Sequence, residues 1–297
     1  MTWRIQHKLD LANLEEIEEH IYALNPSPWT LSQDKPGPLD YSLEGYFESQ
    51  ESAVAAYKDL QLHCPCIQGP LNLEKINDQD WQNAYKAFLK PWVYGVLHWV
   101  PLWQKETYAL PSEAFALWVD AGMAFGTGAH ETTQLCGRRI VEFWQQYPHQ
   151  KQARIIDAGC GSGILALSAA LLGFKDIFAF DNDPDVIPVC EENAQLNGLD
   201  NRVIFQSHSL EEGLAGKKVE LLMANIQTHI LLDHTHCLLK AVQPEGQLVL
   251  SGILSTELEG LQAVFEKEAK AVWGAASYRL SSRAAGEWSD LCLERLA

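Results

Sequence analysis

A glycine-rich stretch directly after a short apolar run is the sequence feature that most constrains the fold. Arg154–Asp157 has the length and composition of a buried strand, and an Ala- and Leu-rich helix pattern begins at Ile164. Between the two stand three glycines, Gly159, Gly161 and Gly163. Glycines at a strand–helix junction allow a tight turn and let the backbone approach a ligand closely. The same spacing also fits a plain strand–helix turn without a ligand.

Apolar runs alternate with helical patterns on both sides of this loop. The predicted strands are 154–157, 177–180, 203–206, 219–224 and 246–251, and the predicted helices are 164–172, 184–197, 229–241 and 256–267. Such alternation predicts an α/β fold, in which right-handed crossovers produce a doubly wound, mostly parallel sheet. The last two segments, 271–282 and 288–296, predict a terminal β-hairpin.

The first 80 residues predict a separate small domain. A strand is expected at 3–9, a helix around 14–21, a proline-containing loop at 25–37, a strand at 45–47 and a helix at 53–62. This order is typical of a ferredoxin-like α+β module. We therefore predict a small domain at 1–80, an aromatic-rich linker at 81–105 and an α/β domain at 106–297.

The charge of the chain restricts its partners. With 22 Lys and Arg against 39 Asp and Glu, the formal net charge is −17. Nucleic-acid binding depends on basic side chains that neutralise phosphates, so this balance argues against a broad nucleic-acid surface and favours a basic partner. No apolar run reaches the roughly 20 residues that span a bilayer. The first residues, MTWRIQHKLD, carry charges where a signal peptide is apolar, so we expect a cytoplasmic protein.

Two polar residues follow predicted strands at positions that suit a nucleotide-like ligand. Asp181 comes about 20 residues after the glycines, where a carboxylate accepts ribose hydroxyl groups. Asn225 ends a later strand, and its amide can both donate and accept hydrogen bonds. An asparagine at a strand end is also a common turn residue. Asp183, two residues after Asp181, is typical of a helix cap.

The spacing of the glycines discriminates between cofactors. A dinucleotide-binding Gly-x-Gly-x-x-Gly motif requires a glycine at position 164, where this chain has Ile164. Gly-x-Gly-x-Gly is instead the pattern of methyltransferases that use S-adenosylmethionine. A second loop, Phe125–Thr133, reads FGTGAHETT and precedes an amphipathic helix pattern. Its hydroxyls and the helix N-terminal amides suit a carboxylate group.

These motifs together resemble the ribosomal protein L11 methyltransferase family (PrmA). The resemblance runs from about Asp80 to the C-terminus and rests on five segments, Phe125–Thr133, Asp157–Gly163, Asp181–Pro184, Ala224–Ile226 and Leu250–Leu254. It implies a class I methyltransferase fold with a seven-stranded doubly wound sheet and an N-terminal domain that recognises the substrate. It also implies S-adenosylmethionine as cofactor, bound by Thr133, Gly159, Gly161, Gly163, Asp181 and Asn225.

The resemblance further implies a protein N-methyltransferase that modifies lysine side chains and the α-amino group of ribosomal protein L11. We expect Asn225 to orient the amine while water takes its proton, with His130 as the nearest candidate for a dedicated base. The acidic chain suits a basic ribosomal protein that is free of the ribosome. We expect a monomer with no direct contact to nucleic acid or membrane.

Three alternatives stay open. They are a lysine methyltransferase of another protein, a nicotinamide-dependent oxidoreductase, and a non-catalytic ribosome-associated binding module. Where the family commonly has Thr-His-Pro, this chain has Ala129-His130-Glu131, and Gln227 replaces a usual Leu. We expect these departures to lie around the entrance of the substrate site, so they leave the identity of the methyl acceptor undecided.

A histidine-rich stretch raises the question of a metal. His229, His234, His236 and Cys237 lie within nine residues on a predicted helix, where only His229 and His236 share a face well. We therefore expect no metal site.

Overall fold

The computed structural model describes residues 2–9, 17, 21, 28–33, 41–67, 71–76, 90–119, 130–147, 152–275 and 277–297. The chain divides into two compact units, Met1–Phe88 and Leu89–Ala297. Most of the predicted helix at 14–21 and the predicted loop residues 125–129 lie outside the described residues.

The first unit contains a four-stranded antiparallel sheet. Its described elements are β1 Thr2–Leu9, β2 Trp29–Gln33, β3 Tyr41–Phe47, α1 Gln50–His63 and β4 Leu73–Ile76. The strand order is β2-β3-β1-β4, and α1 lies between β3 and β4 in the chain. This is the arrangement of a ferredoxin-like module. Ile17 and Ile21 are helical and join its buried core, so the predicted small N-terminal α+β domain is confirmed.

The second unit carries the alternating strands and helices. Its strands are β5 Trp92–Tyr94, β6 Leu97–Pro101, β7 Phe115–Val119, β8 Arg154–Ala158, β9 Asp176–Asp181, β10 Ile204–Ser207, β11 Val219–Asn225, β12 Val242–Leu254, β13 Tyr278–Ala285 and β14 Trp288–Arg295. Its helices are α2 Glu131–Gln146, α3 Ile164–Leu171, α4 Val186–Leu196, α5 Leu210–Leu214, α6 Thr228–Asp233, α7 Thr235–Ala241 and α8 Leu258–Val272. A short 3₁₀ turn spans Leu102–Gln104.

Seven of these strands form one sheet in the order β10-β9-β8-β11-β12-β14-β13. Strands β8 to β12 are parallel, whereas β14 runs antiparallel to both β12 and β13. The order reverses at β8, which is the switch point where open α/β sheets bind ligands. The doubly wound seven-stranded sheet and its terminal hairpin were both predicted and are confirmed.

Helices cover both faces of this sheet. Successive strand residues point to opposite sides, so apolar side chains on both faces must be buried. Ile155 packs in one core layer with α2 and α3, and its neighbour Ile156 packs in the other with α7 and α8. Such two-sided burial explains why the strands read as continuous apolar runs and not as an alternating pattern.

Several predicted boundaries differ from the structure. The predicted helix 229–241 is two helices, because the chain turns at His234 between α6 and α7. Helix α8 extends to Val272, into the segment predicted as hairpin. Residues 92–101 of the predicted aromatic linker form β5 and β6, which belong to the second unit. The predicted domain limits at 80 and 105 stay predictions, and residue 80 lies outside the described residues.

A buried ion pair joins α2 to the terminal hairpin. The Arg139 guanidinium donates through Nε and Nη2 to the two carboxylate oxygens of Asp290, each at 2.8 Å. Nη1 also donates to Ser281 Oγ at 3.0 Å, and the Arg283 backbone N–H donates to Asp290 Oδ1 at 2.8 Å. Arg139 and Asp290 are 6% and 0% exposed. Separating the helix from the hairpin would leave an uncompensated buried charge, so the pair holds the two elements together.

In the part of the chain that the structure describes, no helix has the length and apolar character needed to span a membrane.

Candidate functional site

The glycine-rich loop leaves β8 in a conformation that suits glycine. Gly159, Gly161 and Gly163 have φ of +73°, +49° and +77°, in the left-handed region. The N–H groups of Gly159 and Cys160 both donate to the Phe180 carbonyl, at 2.8 and 3.1 Å. The loop is therefore bound to the end of the neighbouring strand β9.

A side chain would be crowded at two of these positions, severely at Gly159 and by a few tenths of an ångström at Gly163. A Cβ on Gly159 would lie 2.4 Å from Ile226 Cγ2, and one on Gly163 would lie 3.0 Å from the Phe205 ring and 3.1 Å from Cys190 Sγ. The absence of side chains lets the loop pass close to the residues that follow β11 and to helix α4.

Asp181 is held in place at the end of β9. Its Oδ2 accepts from the Gly161 N–H at 2.9 Å and its Oδ1 accepts from the Asp183 N–H at 3.1 Å. Each carboxylate oxygen has a second lone pair, so the half-buried side chain can accept two more hydrogen bonds. Asp183 accepts from the Asp185 N–H at 2.9 Å in the turn before α4, but the N-cap of α4 is Asp185 and no side chain caps this helix, so the predicted capping role of Asp183 is wrong.

Asn225 and Thr133 meet although they are 92 residues apart in the chain. Asn225 is half-buried at the end of β11, and its Nδ2 donates to Thr133 Oγ1 at 3.4 Å. Thr133 is 2% exposed in the first turn of α2. The adjacent Thr132 carbonyl accepts from Ser251 Oγ at 3.0 Å, which ties this turn to β12.

A cavity of about 160 Å³ lies beside the glycine loop. Residues that directly follow four parallel strands line it: Gly159 after β8, Asn182 after β9, His208 after β10 and Ile226 after β11. Leu210 and Ser209 complete one wall. The cavity thus combines apolar walls with polar groups at the carboxyl edge of the sheet, where ligands bind in open α/β folds.

Asn182, His208, Ser209 and Ile226 were not among the residues that the sequence assigned to the cofactor. Each follows the carboxyl end of a parallel strand, and this position in the chain is the sequence signal that marks them.

Asp157 is the buried carboxyl group of the site. It is 1% exposed, its Oδ2 accepts from the Ala166 N–H at 3.0 Å, and its Oδ1 has no partner among the described residues. Burial raises the pKa of Asp157, the Ala166 bond lowers it and the negative Asp181 raises it again, to about 7. An unpartnered buried carboxylate oxygen next to the glycine loop fits a positively charged ligand.

This raised pKa predicts how stability depends on pH. Folding favours the protonated Asp157, so its contribution to stability is complete below about pH 4 and is lost as the pH rises through about 7. The loss corresponds to about 4 kcal/mol. We expect Asp157→Asn to lose less thermal stability than the parent chain between pH 5 and pH 8, measured without ligand. Parallel pH profiles of the two proteins would contradict the assignment.

His130 and two histidines of the histidine-rich stretch have polar partners close by, and His234 also lines the cavity. His130 is the N-cap of α2, where its Nδ1 accepts from the Thr132 N–H at 3.4 Å. His234 Nδ1 lies 2.8 Å from Glu211 Oε1, and His236 Nδ1 lies 2.7 Å from Glu268 Oε1. Among the residues that the structure describes, no group of three or more His, Cys, Asp or Glu could hold a metal ion.

The arrangement fits the cofactor that the motifs imply. S-adenosylmethionine carries a sulfonium and an ammonium charge, and a cation beside the buried Asp157 would favour its ionised form over the protonated form. Asp181 has free lone pairs for ribose hydroxyls. The cavity has apolar walls for a flat base, and the side-chain-free Gly159 borders it. The residues present therefore match the charge, the hydroxyl groups and the ring of this molecule.

Comparison with known proteins agrees with this geometry. The family described as ribosomal protein L11 methyltransferase (PrmA) matches residues 14–293. A protein of that name from Trichlorobacter lovleyi is 37% identical over 76% of this chain and 72% of its own length. Another from Heliobacterium modesticaldum is 33% identical over 74% of this chain, and the match spans 65% of that relative's length.

A solved structure is also similar. The ribosomal protein L11 methylase from Lactobacillus delbrueckii subsp. bulgaricus has a TM-score of 0.57 and 30% identity, covering 68% of this chain and 96% of its own. The match to the family spans nearly all of the sequence, and the fold is that of a class I methyltransferase. This chain belongs to the ribosomal protein L11 methyltransferase (PrmA) family.

Proposed function

We propose that this protein transfers methyl groups from S-adenosylmethionine to amines of ribosomal protein L11, both lysine side chains and the α-amino group. The observation that carries the proposal is the pairing of the glycine loop with Asp181 at the switch point of the sheet, in a chain of this family. Ile164 stands where a dinucleotide-binding loop has its third glycine, which disfavours a nicotinamide enzyme.

The cofactor is assigned to the six residues that the sequence predicted, with Asp157 as a seventh. Asp181 would accept the ribose hydroxyls, while Gly159, Gly161 and Gly163 form the loop that the ligand approaches. Thr133 and Asn225, which are hydrogen-bonded to each other, would hold the amino-acid end together with Asp157. The cavity between Asn182 and Ile226 would enclose the adenine ring.

When bound, S-adenosylmethionine supplies a methyl group already activated by its sulfonium, so positioning of the acceptor provides most of the catalysis. The acceptor amine must be neutral. Deprotonation of a lysine with a pKa near 10.4 costs about 4–5 kcal/mol at pH 7, and deprotonation of an α-amino group costs much less. Asn225 and nearby backbone carbonyls orient the amine, and water takes the proton.

The charge of the chain supports a basic protein as the acceptor. A net charge of −17 attracts a basic ribosomal protein before it assembles on RNA and repels the phosphate-coated ribosome. We accordingly propose a cytoplasmic monomer that acts on free L11 and does not bind nucleic acid directly.

A methyl-transfer assay tests the proposal. The purified chain is incubated with radiolabelled S-adenosylmethionine and an extract from cells that lack this enzyme, with purified L11 in a parallel reaction. We expect label in L11 in both reactions. Label in a different protein, with none in L11, would overturn the acceptor, and absence of cofactor binding would overturn the enzyme class.

Asn225→Ala is expected to lower turnover by about 10²-fold or more in this assay, because misorientation of reacting groups costs that much. Loss of the contact to Thr133 should also weaken cofactor binding severalfold. Calorimetry and steady-state kinetics separate the two effects. The exposed Asn72, which directly precedes β4 in the first unit, provides an Asn→Ala control. Unchanged affinity together with unchanged turnover would show that Asn225 has neither role.

A further inference from the structure

Helix α4 presents three polar side chains along one face. Cys190, Asn193 and Asn197 are spaced three and four residues apart, which places them on the same side of a helix. Cys190 Sγ donates to the Gly161 carbonyl at 3.0 Å, and Asn193 Nδ2 donates to the Ser162 carbonyl at 2.9 Å. The helix therefore binds two successive carbonyl groups of the glycine loop.

Asn197 extends this face to strand β7. Its Oδ1 accepts from the Trp118 N–H at 2.7 Å, and its Nδ2 donates to the Trp118 carbonyl at 3.0 Å. Strands β5, β6 and β7 form a three-stranded sheet in that order, with β7 at one edge. The side-chain amide therefore pairs with backbone groups that a further strand would otherwise bind. The same Nδ2 also donates to the Asn193 carbonyl at 2.8 Å.

The glycine loop is thus held from two directions. On the sheet side, its N–H groups at Gly159 and Gly161 donate to Phe180 O and to the Asp181 carboxylate. On the helix side, its carbonyls accept from Cys190 and Asn193. A loop with three left-handed glycines has many alternative conformations, so its geometry depends on such contacts.

We propose that Asn193 and Asn197 are positioning residues for cofactor binding, which fix the glycine loop and the edge of β7 to one helix without contacting the cofactor. This inference rests on the proposed function, in which the loop binds S-adenosylmethionine. Neither asparagine lines the cavity beside Gly159. Their contribution is preorganisation: a loop already in its binding conformation does not lose conformational entropy when the ligand arrives.

Alanine substitution at Asn193 tests this role. Removing the amide leaves the Ser162 carbonyl without its donor from α4. We expect the dissociation constant for S-adenosylmethionine, measured by calorimetry at 25 °C, to rise about tenfold. The KM for the cofactor should rise with it while kcat stays within about twofold, because the interaction is the same in the ground and transition states. Asn197→Ala should raise the dissociation constant in the same direction.

Gln195→Gly is the matched control. Gln195 is exposed on the opposite side of α4, and glycine in a helix costs about 1 kcal/mol relative to better helix formers. This variant should lower the melting temperature by an amount similar to Asn193→Ala yet leave the dissociation constant unchanged.

The outcomes separate the inference from the proposed function. If the parent chain does not bind S-adenosylmethionine, the proposed function fails. If the parent binds it and the two asparagine variants lose thermal stability but keep the parent affinity, the asparagines only stabilise the fold and the inference is overturned. If Gln195→Gly weakens binding equally, general destabilisation of α4 explains the effect and the inference is again overturned.

Discussion

Gly159→Ala is expected to raise the dissociation constant for S-adenosylmethionine by about 10²-fold or more. The new Cβ would lie 2.4 Å from Ile226 Cγ2, whereas carbon atoms in contact are about 3.5 Å apart. Either the loop or Ile226, which lines the same cavity, must therefore move by about 1 Å. A displacement of this size in a binding site is sufficient for such a loss.

The φ of +73° adds a second cost that must be separated from crowding. A left-handed residue with a side chain loses about 1–2 kcal/mol whatever its surroundings. Gly216 provides the control, because its φ is +67° and a Cβ there meets nothing within 4 Å. Calorimetric titration should show normal affinity for Gly216→Ala, despite a similar strain. Equal affinity of the Gly159→Ala variant and the parent chain would show that the cofactor does not depend on this loop.

Arg139→Ala is expected to lower the free energy of unfolding by about 3–5 kcal/mol. The substitution leaves the carboxylate of Asp290, which is fully buried, with only the Arg283 backbone N–H as a donor among the contacts described above. The uncompensated charge, and not the lost attraction alone, accounts for most of this cost. Urea denaturation measures the effect, and the melting temperature should fall by about 10 °C.

The exposed pair Arg279 and Glu294 on the same hairpin gives the comparison. Its atoms are 3.9 Å apart and its side chains are 74% and 38% exposed, so Arg279→Ala should cost less than about 1 kcal/mol. Replacing both buried partners, with Arg139→Met and Asp290→Leu, should restore part of the stability because no unpaired charge remains. A small effect of Arg139→Ala, similar to that of Arg279→Ala, would contradict the buried pair.

Gly159→Ala tests ligand binding, whereas Arg139→Ala tests the stability of the fold. Gly159 belongs to the loop that contacts the ligand, whereas Arg139 lies two turns along α2 from Thr133 and joins that helix to the terminal hairpin. We therefore expect loss of affinity with a modest loss of stability in the first case. In the second we expect a large loss of stability.

Local sequence patterns predicted the fold well where they reflect backbone periodicity. The strands around Ile155 and Leu221 were found because strands buried on both faces are continuously apolar. The end of α4 was predicted within one residue, and Gly198, which follows the C-cap Asn197, takes a φ of +64° there, as glycine does after a helix. The break between α6 and α7 at His234 was missed, since the apolar spacing continues through it.

Part of the site was also predicted from local sequence patterns. Gly161 and Asp181 were identified from their spacing, and the structure joins them by a hydrogen bond of 2.9 Å. Their roles, and those of the other four residues assigned to the cofactor, stay predictions until binding is measured. Asp157 was visible in the motif, but its burial and its unpartnered oxygen were not, because both depend on helices that pack over it.

The sequence by itself determined the alternation of strands and helices, the left-handed glycine loop and the family of the chain. These follow from short-range geometry, in which spacing along the chain fixes which residues share a face or a turn. Only the tertiary structure decided that Asn182, His208 and Ile226 line one cavity, that Asn197 pairs with Trp118, and that Arg139 meets Asp290. These contacts join residues far apart in the chain, and they depend on strand order and helix packing, which no local pattern encodes.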